Sequence, residues 1–158
     1  MYKRILLAYD GSREGIIALR EGALLAHRCC SQVYLLSVVP ETAGVTMAES
    51  VYGGVVAHQT DAYKALLARG VEVLTRLGFK PIARLVSGEP IPQIAAFAKE
   101  IGADLVVVGH RRQGALERWW SGPSGASVID HIKCSVLVGC NSITDEAFEA
   151  ELAKATAE

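Results

Sequence analysis

Continuous apolar runs and segments of helical spacing alternate along most of the chain. Apolar runs that do not alternate with polar residues are typical of parallel strands covered on both faces. Five runs have the length of a strand: residues 4–9, 33–39, 81–86, 105–108 and 134–138. Helical spacing is found over residues 16–26, 57–77, 91–101 and 124–132. The order βαβαβαβαβ predicts one mainly parallel sheet with right-handed crossovers and helices on both faces.

Polar residues and glycines mark the ends of these elements. Asp10, Gly11 and Ser12 follow the first run and predict a turn in which Ser12 caps the next helix. Residues 41–56 mix glycines with apolar residues, so we expect a loop over the ligand end of the sheet. The second helix should then begin at about Ala57.

The composition is typical of a soluble globular chain. It has 158 residues, 51% hydrophobic and 21% charged, which is enough for one domain with a substantial core. The formal net charge of −1 argues against nucleic acid as a partner. No apolar run approaches the roughly 20 residues of a membrane span, and the first residues lead into a strand and not a signal peptide. We expect a cytoplasmic protein that does not contact the membrane.

We expect an α/β domain over residues 1–141 and a tail over residues 142–158. A polar linker in the tail is followed by residues that favour helix formation. Phe148 and Leu152 are four residues apart, so a short helix would present both on one side, to the domain or to a partner. A disordered tail is the alternative.

The four cysteines lack the paired spacing of a zinc site. We expect Cys29, Cys30, Cys134 and Cys140 to be buried thiols that pack as small hydrophobic side chains. A redox-sensitive pair at Cys29 and Cys30 is the alternative.

A basic loop bounded by glycines follows the fourth strand. Gly109 ends that strand at the carboxyl edge of the sheet, where open α/β sheets bind their ligands. Arg111 and Arg112 come next, and Gly122 and Ser124 stand at the start of a helix. Free N–H groups at the start of a helix favour phosphate. The loop therefore predicts a site for a phosphate-sized anion, and a solvated loop is the alternative for the two arginines.

The spacing of these glycines resembles that of the universal stress protein family. ATP-binding members of the family show Gly-x2-Gly-x9-Gly-(Ser/Thr), and Gly109 and Gly122 match its first and third glycines. Arg112 takes the second glycine position and Pro123 the serine or threonine position. The resemblance covers roughly the first 140 residues and includes two further segments: Ala-Tyr-Asp-Gly-Ser at 8–12 and Ser-Gly-Glu-Pro at 87–90.

The resemblance implies an α/β fold of the adenine nucleotide alpha hydrolase-like type. This fold is a single doubly wound five-stranded parallel sheet in the order 3-2-1-4-5, which would bring Asp10 beside Gly109. The resemblance assigns Asp10 to the adenine or ribose side of a nucleotide and Ala8 and Val38 to the adenine slot, with Val108 at the end of the fourth strand. For Asp10 the alternative is a residue that only forms the turn. For Ala8 and Val38, packing in the core is compatible with the slot.

We therefore expect an adenine-nucleotide-binding or sensing protein without efficient catalysis. The nucleotide would be AMP, ADP or weakly bound ATP, because Arg112 and Pro123 depart from the ATP motif. Mg²⁺ is expected only where a nucleotide is bound. The motifs of P-loop enzymes, serine hydrolases, zinc proteases and dinucleotide enzymes do not occur, so we expect no enzyme activity.

The alternative function is that of a stress-related structural or interaction homodimer that has lost nucleotide binding. Val136, Leu137 and Val138 form a short apolar strand that the resemblance places at the sheet edge. Such an edge favours pairing with a second copy of the chain. The sequence does not identify any further protein partner.

Overall fold

The computed structural model describes residues 1–40, 53–109, 131–140 and 143–156. Within these ranges the strands are β1 Arg4–Ala8, β2 Gln32–Val39, β3 Ile82–Ser87, β4 Leu105–Gly109 and β5 Ser135–Gly139. The helices are α1 Arg13–Cys29, α2 Gly53–Arg76, α3 Pro90–Ile101 and α4 Asp145–Thr156.

The five strands form one parallel sheet in the order β3-β2-β1-β4-β5, which confirms the predicted order. Leu6 on β1 is in register with Tyr34 on β2 and with Val106 on β4. Strands β2 and β3 thus follow on one flank of β1, and β4 and β5 are then added on the other flank. Ligands of such sheets bind outside the carboxyl ends of the strands at this reversal.

The core consists of two apolar layers, one on each face of the sheet. Under α1 and α2 lie fully buried residues of the inner strands, among them Leu7, Leu35 and Val107. The opposite layer, which includes Leu6, Leu36 and Val106, packs against Phe97 and Ile94 of α3. Because both faces of the inner strands β1 and β4 are covered, these two strands carry nearly continuous apolar sequences, as the pattern predicted.

Helix α2 begins at Gly53, so the expected start at about Ala57 is wrong by four residues. Gly53 and Gly54 interrupt the apolar pattern and so indicate a loop, and a glycine within a helix costs about 1 kcal/mol relative to alanine. Farther along the helix, Leu66 and Leu74 pack into the core layer under α1 and α2. Such burial stabilises a protein by about 1.5–3 kcal/mol for each large apolar side chain, which is enough to offset two glycines.

The tail helix α4 lies against α1. Phe148 is buried, and the guanidinium of Arg20 stands 5.5 Å from the centre of its ring. The Nη2 atom of Arg20 also pairs with Oδ1 of Asp145 at 2.5 Å, and Arg28 on α1 pairs with Glu151 at 2.8 Å. The contact thus combines one buried aromatic ring with two ion pairs at the surface.

The expectation of four buried cysteines is wrong. Cys30 and Cys140 are exposed, whereas Cys29 and Cys134 are half-buried. Cys30 lies just past the end of α1 in the left-handed conformation, with φ of 51°, and its N–H bonds to the carbonyl of His27. A residue that ends a helix in this way leaves the packed face of the helix.

None of the helices within the described ranges has both the length and the hydrophobicity needed to cross a lipid bilayer.

Candidate functional site

The turn that follows β1 lies at the reversal point of the sheet. The N–H of Tyr9 still bonds to the carbonyl of Leu36 on β2, at 2.8 Å, and the chain then turns through residues 10–12. Gly11 in this turn has φ of +72°, which side chains other than glycine rarely adopt. A Cβ atom at Gly11 would also stand 2.3 Å from Cδ1 of Leu66 on α2. The backbone conformation therefore favours glycine here, and a larger residue would also displace the Leu66 side chain.

The carboxylate of Asp10 organises this turn. Its Oδ1 accepts hydrogen bonds from the N–H of Ser12 at 2.9 Å and from the hydroxyl of Ser12 at 2.5 Å. The hydroxyl oxygen of Ser12 in turn accepts from the N–H of Gly15 at 3.0 Å, which confirms the predicted cap of α1. Asp10 is exposed, so its carboxylate shapes the turn and also faces solvent at the carboxyl edge of the sheet.

Gly109 brings the end of β4 against the first turn of α1. A Cβ atom at this position would lie 2.7 Å from both the carbonyl carbon and oxygen of Glu14 and 2.8 Å from the nitrogen of Gly15. On the other side of the same helical turn, a Cβ at Gly15 would stand 2.5 Å from Oδ1 of Asp10. One turn of helix therefore contacts both Asp10 and Gly109, which is the juxtaposition that the strand order implies.

Three predicted binding residues, Ala8, Val38 and Val108, lie on the face of the sheet opposite α1 and α2. Val108 is buried there, and Ala8 and Val38 are half-buried and pack against the same layer. Their apolar side chains form part of the core and also line its edge at the carboxyl ends of β1, β2 and β4.

Tyr9 is the titratable core residue next to this turn. Its ring lies beside Gly70 of α2, where a Cβ atom would stand 3.0 Å from Cδ1 and Cε1 of Tyr9. Burial raises the pKa of the Tyr9 phenol above its ordinary value, and the positive charge of Arg69 opposes part of this rise. The phenol therefore stays neutral at physiological pH, and Tyr9 serves the site as an apolar support for the turn.

The remaining predicted site residues, Arg111, Arg112, Gly122 and Ser124, lie outside the described residues, as does Pro123. The part of the chain that the structure describes contains no cluster of three His, Cys, Asp or Glu side chains that could hold a metal ion.

Sequence reasoning missed two residues at this edge, Gly15 and Ser37. Gly15 leaves room for the Asp10 carboxylate, and the buried hydroxyl of Ser37 donates to the carbonyl of Tyr9 at 2.6 Å. The sequence does contain an indication for Ser37, because it is a polar residue within the otherwise apolar run 33–39. Nothing in the helical pattern of α1 distinguished Gly15, since its contact depends on the preceding turn.

Comparison with known proteins gives concordant matches along the chain. A sequence profile of the universal stress protein family matches residues 1–138. A candidate universal stress protein of Staphylococcus epidermidis is 30% identical over 157 residues, which cover 96% of this chain and 92% of that protein.

Two solved structures share the fold at lower identity. A universal stress protein in complex with cAMP has a TM-score of 0.64 and 22% identity, with 89% of this chain and 99% of that chain covered. A universal stress protein from Archaeoglobus fulgidus in complex with dAMP has a TM-score of 0.64 and 23% identity, with 87% and 97% covered.

Proposed function

Because this chain belongs to the universal stress protein family, we propose that it binds an adenine nucleotide at the carboxyl ends of β1 and β4, without efficient catalysis. The observation that carries the proposal is the contact of one turn of α1 with both the exposed Asp10 turn and Gly109. The complexes of two structural neighbours with cAMP and dAMP support the choice of an adenine nucleotide.

The described residues at this edge suit the base and ribose of a nucleotide. A carboxylate such as Asp10 accepts hydrogen bonds from ribose hydroxyls or from the adenine amino group. Half-buried Ala8 and Val38 offer apolar surface to a purine ring, and buried Val108 belongs to the same core layer. Gly109 has no side chain, so the first turn of α1 can lie against the end of β4, beside the Asp10 turn.

We assign the phosphate to the loop that follows Gly109. Arg111 and Arg112 would supply charged donors, and Gly122 and Ser124 would supply N–H groups at the start of the helix that the sequence predicts. Mg²⁺ would enter only together with a bound nucleotide, as a ligand of its phosphates.

ATP should bind less well than AMP or ADP. Pro123 has neither the N–H nor the hydroxyl that serine supplies at this place in the family motif, and an arginine at position 112 would hinder close approach of the backbone to the phosphates. A hydrogen bond to a charged group contributes about 1.5–3 kcal/mol, so losing one or two weakens ATP binding by roughly tenfold to several thousandfold.

Calorimetric titration with AMP, ADP and ATP tests this proposal. We expect measurable binding of AMP or ADP, and weak or absent binding of ATP. The double substitution Arg112→Gly with Pro123→Ser should raise ATP affinity at least tenfold. Tight ATP binding by the unmodified protein would contradict the account of the loop.

A second candidate function is favoured by the place of β5 at the edge of the sheet. On this view the chain is a stress-related homodimer that pairs through Val136–Val138 and has lost nucleotide binding. Absence of nucleotide from the heat-released supernatant of the purified protein, together with no binding in the titrations, would favour this function over the first.

A further inference from the structure

Ser37 is a polar side chain that the fold buries completely. It lies near the carboxyl end of β2, between apolar neighbours, and has a relative exposure of 0%. Its hydroxyl donates a hydrogen bond of 2.6 Å to the carbonyl of Tyr9. A buried hydroxyl is costly unless it is bonded, and this contact satisfies the hydroxyl of Ser37.

This hydrogen bond fixes the peptide group that joins Tyr9 to Asp10. The N–H of Tyr9 donates to the carbonyl of Leu36 at 2.8 Å, and the carbonyl of Tyr9 accepts from Ser37, so β2 holds Tyr9 on both sides. Because the peptide group is planar, fixing the carbonyl of Tyr9 also fixes the nitrogen of Asp10. The side chain of Asp10 then reaches the backbone and hydroxyl of Ser12.

Ser37 does not lie on the face of the sheet that we assign to the adenine ring. Side chains alternate along a strand, so Ser37 points to the same face as Leu35, under α1 and α2. Val38 packs against the opposite layer. Ser37 is therefore placed to act on the turn and not on a ligand over Ala8 and Val38.

We propose that Ser37 is a positioning residue of the nucleotide site: its hydroxyl fixes the Tyr9 carbonyl and through it the direction of the Asp10 carboxylate. The effect on affinity rests on the proposed nucleotide binding. The effect on the turn does not, and it can be measured on the free protein.

The chain contains a matched control for this bond. The hydroxyl of Ser31, which directly precedes β2, donates to the carbonyl of Tyr2 at 2.7 Å. This is the same kind of hydrogen bond, between the same two segments of the chain, at the opposite end of β1. Ser31→Ala therefore removes an equivalent bond far from the carboxyl edge of the sheet.

The experiment compares Ser37→Ala and Ser31→Ala by AMP titration and by amide hydrogen exchange followed by NMR. We expect Ser37→Ala to weaken AMP binding about tenfold and to speed exchange of the Ser12 amide several-fold, because that amide bonds to Asp10. Ser31→Ala should leave both values within about twofold of those of the unmodified protein. If Ser37→Ala does not fold, Ser37→Cys replaces it in the comparison, because a thiol fills the space of the hydroxyl but is only a weak hydrogen-bond donor.

The AMP affinity and the Ser12 exchange rate together distinguish failure of the Ser37 proposal from failure of the proposed function. Unchanged affinity and unchanged Ser12 exchange in the Ser37 variant overturn the proposal, and so do equal losses in the Ser31 and Ser37 variants. If the unmodified protein binds no AMP, the proposed function fails, and Ser12 exchange alone decides whether Ser37 positions the turn.

Discussion

At the scale of single residues, Asp10 carries the proposed recognition of the nucleotide. We expect Asp10→Ala to weaken AMP binding by about tenfold to a hundredfold, because a hydrogen bond to a charged group is lost. The thermal melt should shift only slightly, since Asp10 is exposed and lies in a turn. Asp104→Asn is the control and should keep the affinity, because Asp104 directly precedes β4 and bonds to Lys3 and Arg4 at the amino end of the sheet. Unchanged AMP affinity in the Asp10 variant would remove this residue from the site.

Asp104 itself should make the fold sensitive to acid. Its Oδ2 accepts from the N–H groups of Arg4 and Lys3, both at 2.8 Å, and these bonds hold the pKa of the carboxyl below its usual value. A carboxyl whose folded pKa is lowered stabilises the fold above its unfolded pKa of about 3.9, and loses this effect as the pH falls through the folded pKa. The melting temperature should therefore fall less for Asp104→Asn than for the unmodified protein between about pH 5 and about pH 3. Parallel curves would contradict this role of Asp104.

At the scale of elements, the fit of α1 on the sheet explains the position of the site. Two glycines at strand ends allow this helix to come close: Gly109 beside Glu14 and Gly15, and Gly139, where a Cβ atom would stand 2.6 Å from Cα of Ala18. Only the first of these contacts lies next to the Asp10 turn.

This difference yields a paired test of the two glycines. We expect Gly109→Ala and Gly139→Ala each to lower the free energy of unfolding by about 1–3 kcal/mol, because a methyl group meets helix backbone. Gly109→Ala should also weaken AMP binding at least fivefold, whereas Gly139→Ala should not. Chemical denaturation and calorimetry measure the two effects. Equal affinity in both variants would show that the close approach at Gly109 matters for packing alone.

At the scale of the whole molecule, we expect a homodimer that pairs through β5. This strand is at the sheet edge, and Val136, Leu137 and Val138 are half-buried and uncharged. Analytical ultracentrifugation at micromolar concentration should show twice the mass of the chain, and a monomer would contradict the prediction.

Leu137 is a poor site for a disrupting charge, because it packs against the core layer under α1 and α2. Ser135 is exposed at the start of β5, so Ser135→Lys is the better substitution for disrupting the pairing with a charge.

The sequence predicted most of the fold because the apolar runs are short, continuous and separated by clear stop signals. Ser12 as the cap of α1 follows from local chemistry that needs no tertiary contact. The start of α2 was missed because packing outweighs the low helix propensity of Gly53 and Gly54. Gly15 and Ser37 were not predicted for a related reason. Each contacts the segment at residues 9–10, and this contact exists only in the folded structure.

The most direct test of the central claim is to map AMP onto the protein by amide chemical shifts in ¹H–¹⁵N NMR spectra. The carboxyl ends of β1 and β4 should respond, and their amino ends should not. We therefore expect saturable shift changes at Ala8, Asp10, Gly11, Ser12, Val38 and Gly109, with no change at Lys3, Arg4 and Asp104. Absence of any saturable change, or changes confined to the amino ends of the strands, would contradict a nucleotide site at this edge.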